Sequence, residues 1–170
     1  MDASAFLALA MTCAPGVHAG TLQALVRVES GFNPWAIGVV GGQLDRQPRH
    51  HAEALATARA LKTAGWNFSV GLGQIHVRNF GRLGLTLESA FDPCANLAAM
   101  QTVLSDCFDR AGGGRTQQAA LRRALSCYYS GNFATGFQHG YVRRVVAASR
   151  PTLTVSPATS ATTTQLKEKT

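Results

Sequence analysis

The stretch TLQALVRVESGFNP, Thr21 to Pro34, decides how the rest of the chain is read. Leu22, Leu25, Val26 and Glu29 fall at i, i+3, i+4 and i+7, the spacing of one face of a helix. Three of the four are aliphatic, so the face should point inward. Thr21 suits the N-cap, and Gly31 and Pro34 end the helix after Ser30. The fourth inward place is held by an acid.

Outward from this helix the pattern stays mainly α. Ala3 to Met11 forms a first short helix, stopped by the APG at 14–16. After the Glu29 helix, WAIGVVGGQ carries β-branched residues around Gly41-Gly42, which predicts a small β-hairpin there. His51 to Ala64 is rich in Ala and Leu and closes at Gly65, a C′ residue. The segment NFSVGLGQIHVRNFGRLG is punctuated by glycine and reads as loop with one helical turn. Pro93 to Arg110 is the longest helix, with Pro93 in its first turn and Leu97, Met100, Val103, Leu104, Cys107 and Phe108 on its inner face. Gln117 to Tyr129 repeats the spacing with Ala120, Leu121, Ala124, Leu125 and Tyr128, and Tyr141 to Ser149 completes the set. From Arg150 onward the chain is Thr, Ser, Ala and Pro with few bulky hydrophobes, the composition of a flexible tail. The expected organisation is one helical domain over 1–149 and a tail over 150–170.

With 170 residues, 46% hydrophobic and 15% charged, the composition is that of a globular chain with a proper core. The net charge is +7, and thirteen of the sixteen basic groups are Arg. That surplus suits polyanionic partners, whether nucleic acid, an anionic membrane or an acidic wall polymer, or else a solvated basic surface. Nucleic acid is set aside, because no helix-turn-helix or aromatic-basic module accompanies the charge. No stretch reaches the ~20 apolar residues that span a bilayer. The N-terminal MDASAFLALAMTC has an apolar run but Asp2 where a leader carries basic residues, so it is a poor signal peptide. The chain is then a mature form, a chain trimmed of its leader, or a cytosolic protein. Cysteines at 13, 94, 107 and 127 allow three pairings. Without a CxxC pair or a His cluster they do not read as a structural zinc site.

Two explanations compete for Glu29. It sits at a fraying helix end, solvated or paired with an arginine, or its carboxyl group is held against an apolar wall. In the second case low dielectric disfavours the charged form and raises the pKa. A carboxyl group still protonated near neutral pH can pass its proton to a leaving oxygen. Lysozyme, a glycosidase, uses a glutamate in a hydrophobic pocket in this way.

Four ordered segments carry a resemblance: VESGFNPWAIGV at 28–39, GLGQI at 71–75, FDPCANL at 91–97 and ALSCYYSGN at 124–132. Together they resemble the lysozyme-like lytic transglycosylases of the SLT type, over about residues 12–149. AIGV, FDPC.NL and SGNF..GF..GYV are similar to the branch that accompanies type IV secretion and conjugation systems. The resemblance implies a goose-type lysozyme fold, mainly α. It also implies cleavage of the β-1,4 bond between N-acetylmuramic acid and N-acetylglucosamine in peptidoglycan, with no metal or organic cofactor. Glu29 would protonate the glycosidic oxygen and then, as base, help the muramoyl C6 hydroxyl close onto C1, leaving a 1,6-anhydro end. Glycosidases that use water or a covalent intermediate need a second carboxylate. Asp45, Glu53, Glu88 and Asp92 do not supply a convincing one.

The same likeness assigns further residues. Gln74 would hydrogen-bond the sugar, and Gly71 and Gly73 would let the backbone approach it. Ser30 would orient the acid or bind sugar, its plainer role being a helix-end cap. Tyr128 would place its hydroxyl near Glu29 and steady transition-state charge. Tyr129 departs from the family's YNSGN motif, where Asn is usual, and His76 stands where the secretion-linked branch often has Asn. A periplasmic setting is implied, and with it disulfides: Cys13 with Cys94 first, then Cys107 with Cys127 or two free thiols. Secretion-system components would be partners through the surface or the tail. The alternatives are a muramidase that hydrolyses the same bond with water, and a non-catalytic module that binds the wall.

Overall fold

The fold was obtained as a computed structural model that describes residues 1–114 and 116–149. The Thr/Ser/Pro-rich segment 150–170 lies outside the described residues. Helix α1 (Ala3–Cys13) starts at Asp2, whose carboxylate accepts the Ala5 N–H at 2.9 Å. Helix α2 (Ala19–Glu29) begins earlier than the sequence suggested. His18, not Thr21, is its N-cap, with Nδ1 accepting the Gly20 N–H at 3.1 Å. An imidazole nitrogen here does the work that sequence reading gave to a hydroxyl.

Strand β1 (Ile37–Val39) forms where the β-branched residues suggested, but not as a hairpin around Gly41-Gly42. It pairs antiparallel with β2 (Phe68–Val70), Ile37 opposite Val70, and β2 pairs with β3 (Ile75–His76). The free side of β1 is closed by a side chain. Gln47 Oε1 accepts the Ile37 N–H at 2.8 Å, and its Nε2 donates to the Ile37 carbonyl at 2.9 Å. An amide therefore takes the place of the strand expected beyond the glycines. The small hairpin of this fold is β2–β3, inside the segment that the glycines made look like loop.

Helix α3 (His51–Thr63) ends at Ala64 with Gly65 beyond it. After β3 come a 3-10 turn at Val77–Asn79, the single turn α4 (Phe80–Leu83) and a second 3-10 turn at Ser89–Phe91. Helix α5 (Pro93–Ala111) is capped by Asp92, which accepts the Ala95 N–H at 2.8 Å. Then follow α6 (Gln117–Ser130), the short α7 (Thr135–Gln138) and α8 (Tyr141–Ala148).

One core joins these elements. Leu22, Leu25 and Val26 of α2 meet Leu97, Met100 and Leu104 of α5, Ala124 and Leu125 of α6, and Tyr141 and Val145 of α8, all nearly inaccessible. Cys13–Cys94, the first-choice pairing, is a disulfide, and Cys107 and Cys127 are bonded to each other, not free thiols; the Cα separations are 5.2 and 5.7 Å. Among the described residues no helix is long and apolar enough to cross a membrane.

Candidate active site

The last residue of α2 reaches a cleft of about 310 Å³ between the small sheet and α5–α6. Glu29 lies in it together with Gly38, Val39, Ser69, Gln74, His76 and Tyr128. The chain leaves α2 abruptly: Ser30 caps the helix and Phe32 takes a left-handed φ of 65°. That conformation is costly for a bulky residue. It is held because the Phe32 ring packs edge-on against Phe6, centroids 5.2 Å apart.

Although Glu29 is only partly buried as a residue, its carboxyl group is shielded from water. Desolvation pushes its pKa from 4.5 up to about 7, against the opposing pull of a Tyr141 hydrogen bond and the charge of Arg144. Of the two fates open to this acid, shielding of its carboxyl group from water is the one realised, with a hydroxyl and a nearby arginine charge beside it. Packing of α8 against α2 brings the Tyr141 hydroxyl to Glu29 Oε1, to which it donates. Tyr141 is 1% exposed, and burial beside an acid drives its own pKa far upward, so it stays a donor. Arg144, one turn along α8, has its guanidinium 5.8 Å from the Tyr141 ring centroid.

Tyr128 comes from α6, and its hydroxyl donates to the Gly73 carbonyl, not to the acid. Burial together with the charge of Glu29 still raises its pKa, so this proton too is retained. Gln74 sits in the left-handed region, φ 48°, at the β2–β3 turn. Its Nε2 donates to the carbonyls of Ala36 at 3.1 Å and Gly71 at 3.0 Å. Both amide hydrogens are thus engaged by backbone, which leaves Oε1 as the group this residue offers the cleft.

The glycines of this turn answer to the protein interior. A Cβ on Gly71, whose φ is 78°, would meet Asn96 Nδ2 at 2.2 Å; one on Gly73 would meet the Tyr128 hydroxyl at 3.0 Å. They make room for Asn96 and Tyr128. Ser30 donates its hydroxyl to the Val26 carbonyl at 3.2 Å, a helix-end bond, and does not line the cleft. His76 does line it, with Nδ1 accepting the Arg78 N–H at 3.2 Å and its pKa lowered by burial and by Arg78. Its ring is then neutral near pH 7, with the proton on Nε2.

Sequence reading did not single out Tyr141, Arg144 or Asn96. Two signals were present in the chain. Tyr141 lies in the GYV and Asn96 in the FDPC.NL quoted for the resemblance, but neither motif says what its polar group touches. Among the described residues lining the cleft, Glu29 is the single acid. Among the described residues no group of three or more His, Cys, Asp or Glu is placed to hold a metal ion. The arrangement offers one carboxyl group poised near neutral pH, a buried hydroxyl fixing its orientation, and an open groove beside it.

Residues 6–148 match the family model described as transglycosylase SLT domain. Over 151 residues the chain is 50% identical to the type IV secretion system protein virB1 of Brucella abortus, covering 85% of this chain and 63% of that one. The virB1 protein of Brucella suis shows the same identity and coverage. Protein virB1 of Rhizobium radiobacter is 41% identical over 155 residues, 88% of this chain and 63% of that one. The chain therefore spans less than two thirds of the length of these relatives. No solved structure matches it.

Proposed function

The chain belongs to the transglycosylase SLT family, and on that premise we propose that it is a peptidoglycan lytic transglycosylase working through Glu29 alone. The reaction begins with Glu29 protonated. It passes its proton to the glycosidic oxygen between N-acetylmuramic acid and N-acetylglucosamine as the C1–O bond breaks. The carboxylate left behind takes the proton of the muramoyl C6 hydroxyl, whose oxygen bonds to C1. The ends are a free 4-hydroxyl on N-acetylglucosamine and a 1,6-anhydro N-acetylmuramic acid, and no water is consumed.

The observation that carries this reading is the shielded Glu29 carboxyl group, with a pKa of about 7, standing as the one acid among the described cleft residues. A raised pKa supplies the proton for the first half, and a carboxylate of that pKa is a useful base for the second. Hydrolysis with inversion or retention calls for a second carboxylate within about 5–10 Å. Tyr141 orients the acid, and Tyr128 reinforces the turn that presents Gln74, whose free Oε1 can accept from a sugar hydroxyl or amide. No step requires a metal or an organic cofactor.

This reading puts the protein in the periplasm, where the wall lies and where disulfides persist. Two disulfides and the secretion-system names of the relatives support it, the latter suggesting local opening of the wall for such a machine. Glu29→Gln keeps the shape of the side chain and removes the transferable proton. The variant is expected to release no soluble muropeptides from purified sacculi, while the parent's products carry anhydro ends by mass. Clearing at the parent rate by the variant would sink the assignment. Products heavier by one water would make the protein a muramidase instead.

A further inference from the structure

Tyr129 stands on the rim of the Glu29 cleft and is 41% exposed, while most large apolar side chains here are buried. It is also fixed in place. Its ring stacks on that of Tyr141, centroids 4.6 Å apart and 20° from parallel. Its hydroxyl lies 3.3 Å from His139 Nδ1, and the His139 ring meets it edge-on at 6.0 Å. His139 is itself tied down, its carbonyl accepting from Arg144 Nη1 at 3.3 Å.

An exposed aromatic ring that is already immobile loses little side-chain entropy when something settles on it. The ligand that fits is flat, partly apolar and wet at its edges. A β-linked N-acetylhexosamine has that character, with C–H bonds on the face of its ring and hydroxyl and amide groups around the rim. We propose that Tyr129 is a stacking platform for one N-acetylhexosamine unit of the glycan beside the scissile bond, and so a specificity-determining contact. This rests on the glycan-cleaving reading above and adds to it a residue outside the acid–base chemistry. Because Tyr129 lies against the ring whose hydroxyl orients Glu29, a sugar seated on it is registered directly against the acid.

Simple cover for Tyr141 would not require an aromatic ring, since a leucine would exclude water as well. That contrast defines the test. In the full-length Glu29→Gln protein, binding of a peptide-free tetrasaccharide of alternating N-acetylglucosamine and N-acetylmuramic acid is measured by calorimetry. Tyr129→Phe and Tyr129→Trp keep a flat face and are expected to bind within about twofold of that parent. Tyr129→Leu should bind about tenfold more weakly, the effect of taking a flat aromatic face away from the sugar. Its melting temperature is recorded to show that it folds. Equal binding by the Leu variant would overturn the platform and leave the proposed function standing. Weakening of Phe and Trp to the level of Leu would overturn it too, by assigning the effect to the His139 bond. No binding by the Glu29→Gln parent, together with no muropeptide release by the unmodified protein, would overturn the proposed function and this inference with it.

Discussion

In the proposed reaction Glu29 is an acid at the start and a base at the end, and three influences set the balance. Burial raises its pKa, while the Tyr141 hydroxyl and the Arg144 charge favour the carboxylate and draw it back to about 7. If the competent form is the protonated one, as proposed, the rate should fall as pH rises through about 7 and hold as pH drops toward 5, where this group stays neutral. Tyr141→Phe removes a hydrogen bond to the charged form, so the Glu29 pKa rises further and the alkaline limb moves to higher pH. At pH 5 the same variant should be slower by about tenfold or more, because the carboxyl group is no longer aimed by that hydroxyl. A kcat profile across pH checks both, and an alkaline limb that stayed put or moved down would show that Tyr141 does not set the acid's state. The inward place of Glu29 was legible in the sequence because it broke a periodic apolar face. Tyr141 was not, since 112 residues separate it from Glu29 and its own helix is apolar at that place for ordinary packing reasons.

The β2–β3 turn presents Gln74 to the cleft, and it is held by a residue of another element. Asn96 of α5 is 1% exposed. Its Nδ2 donates to the carbonyls of Val70 at 3.0 Å and Ala90 at 2.8 Å, and its Oδ1 accepts the Gly73 N–H at 2.8 Å. Asn96→Ala would strand three buried backbone groups, so a loss of about 2–4 kcal/mol is expected. Activity should fall further than stability, because Gly73 and Gln74 are displaced with the turn. Urea unfolding alongside muropeptide release tests this, and a variant within about 1 kcal/mol of the parent would mean that the turn holds itself. At this scale the helices were readable, since each carries its own period and punctuation. The sheet was not. Its strands are two or three residues long, and β1 finds its partner some thirty residues onward, where no local pattern points to it. The glycine pair after β1 looked like a hairpin turn, yet the edge it would have served is taken by Gln47.

Across the whole molecule α5 acts as a spine pinned near both ends. Cys94 in its first turn is bonded to Cys13 of α1, and Cys107 in its last turns is bonded to Cys127 of α6. The first bond closes a loop of 81 residues that contains α2 and the sheet; the second closes one of 20 residues. If a disulfide acts by restricting the unfolded chain, the longer loop contributes about 4.5 kcal/mol and the shorter about 3. The loops do not overlap in sequence, so the losses should nearly add. Replacing Cys13 and Cys94 by Ala is therefore expected to cost more stability than replacing Cys107 and Cys127. Function should rank the other way, because Cys127 adjoins Tyr128 and anchors the helix turn whose hydroxyl grips Gly73. Calorimetric melting of the two paired variants, set beside their residual muropeptide release at a temperature where both are folded, separates the two orders. If the short-loop pair proved both the more destabilising and the less damaging to activity, α5 would not be the element on which the cleft depends.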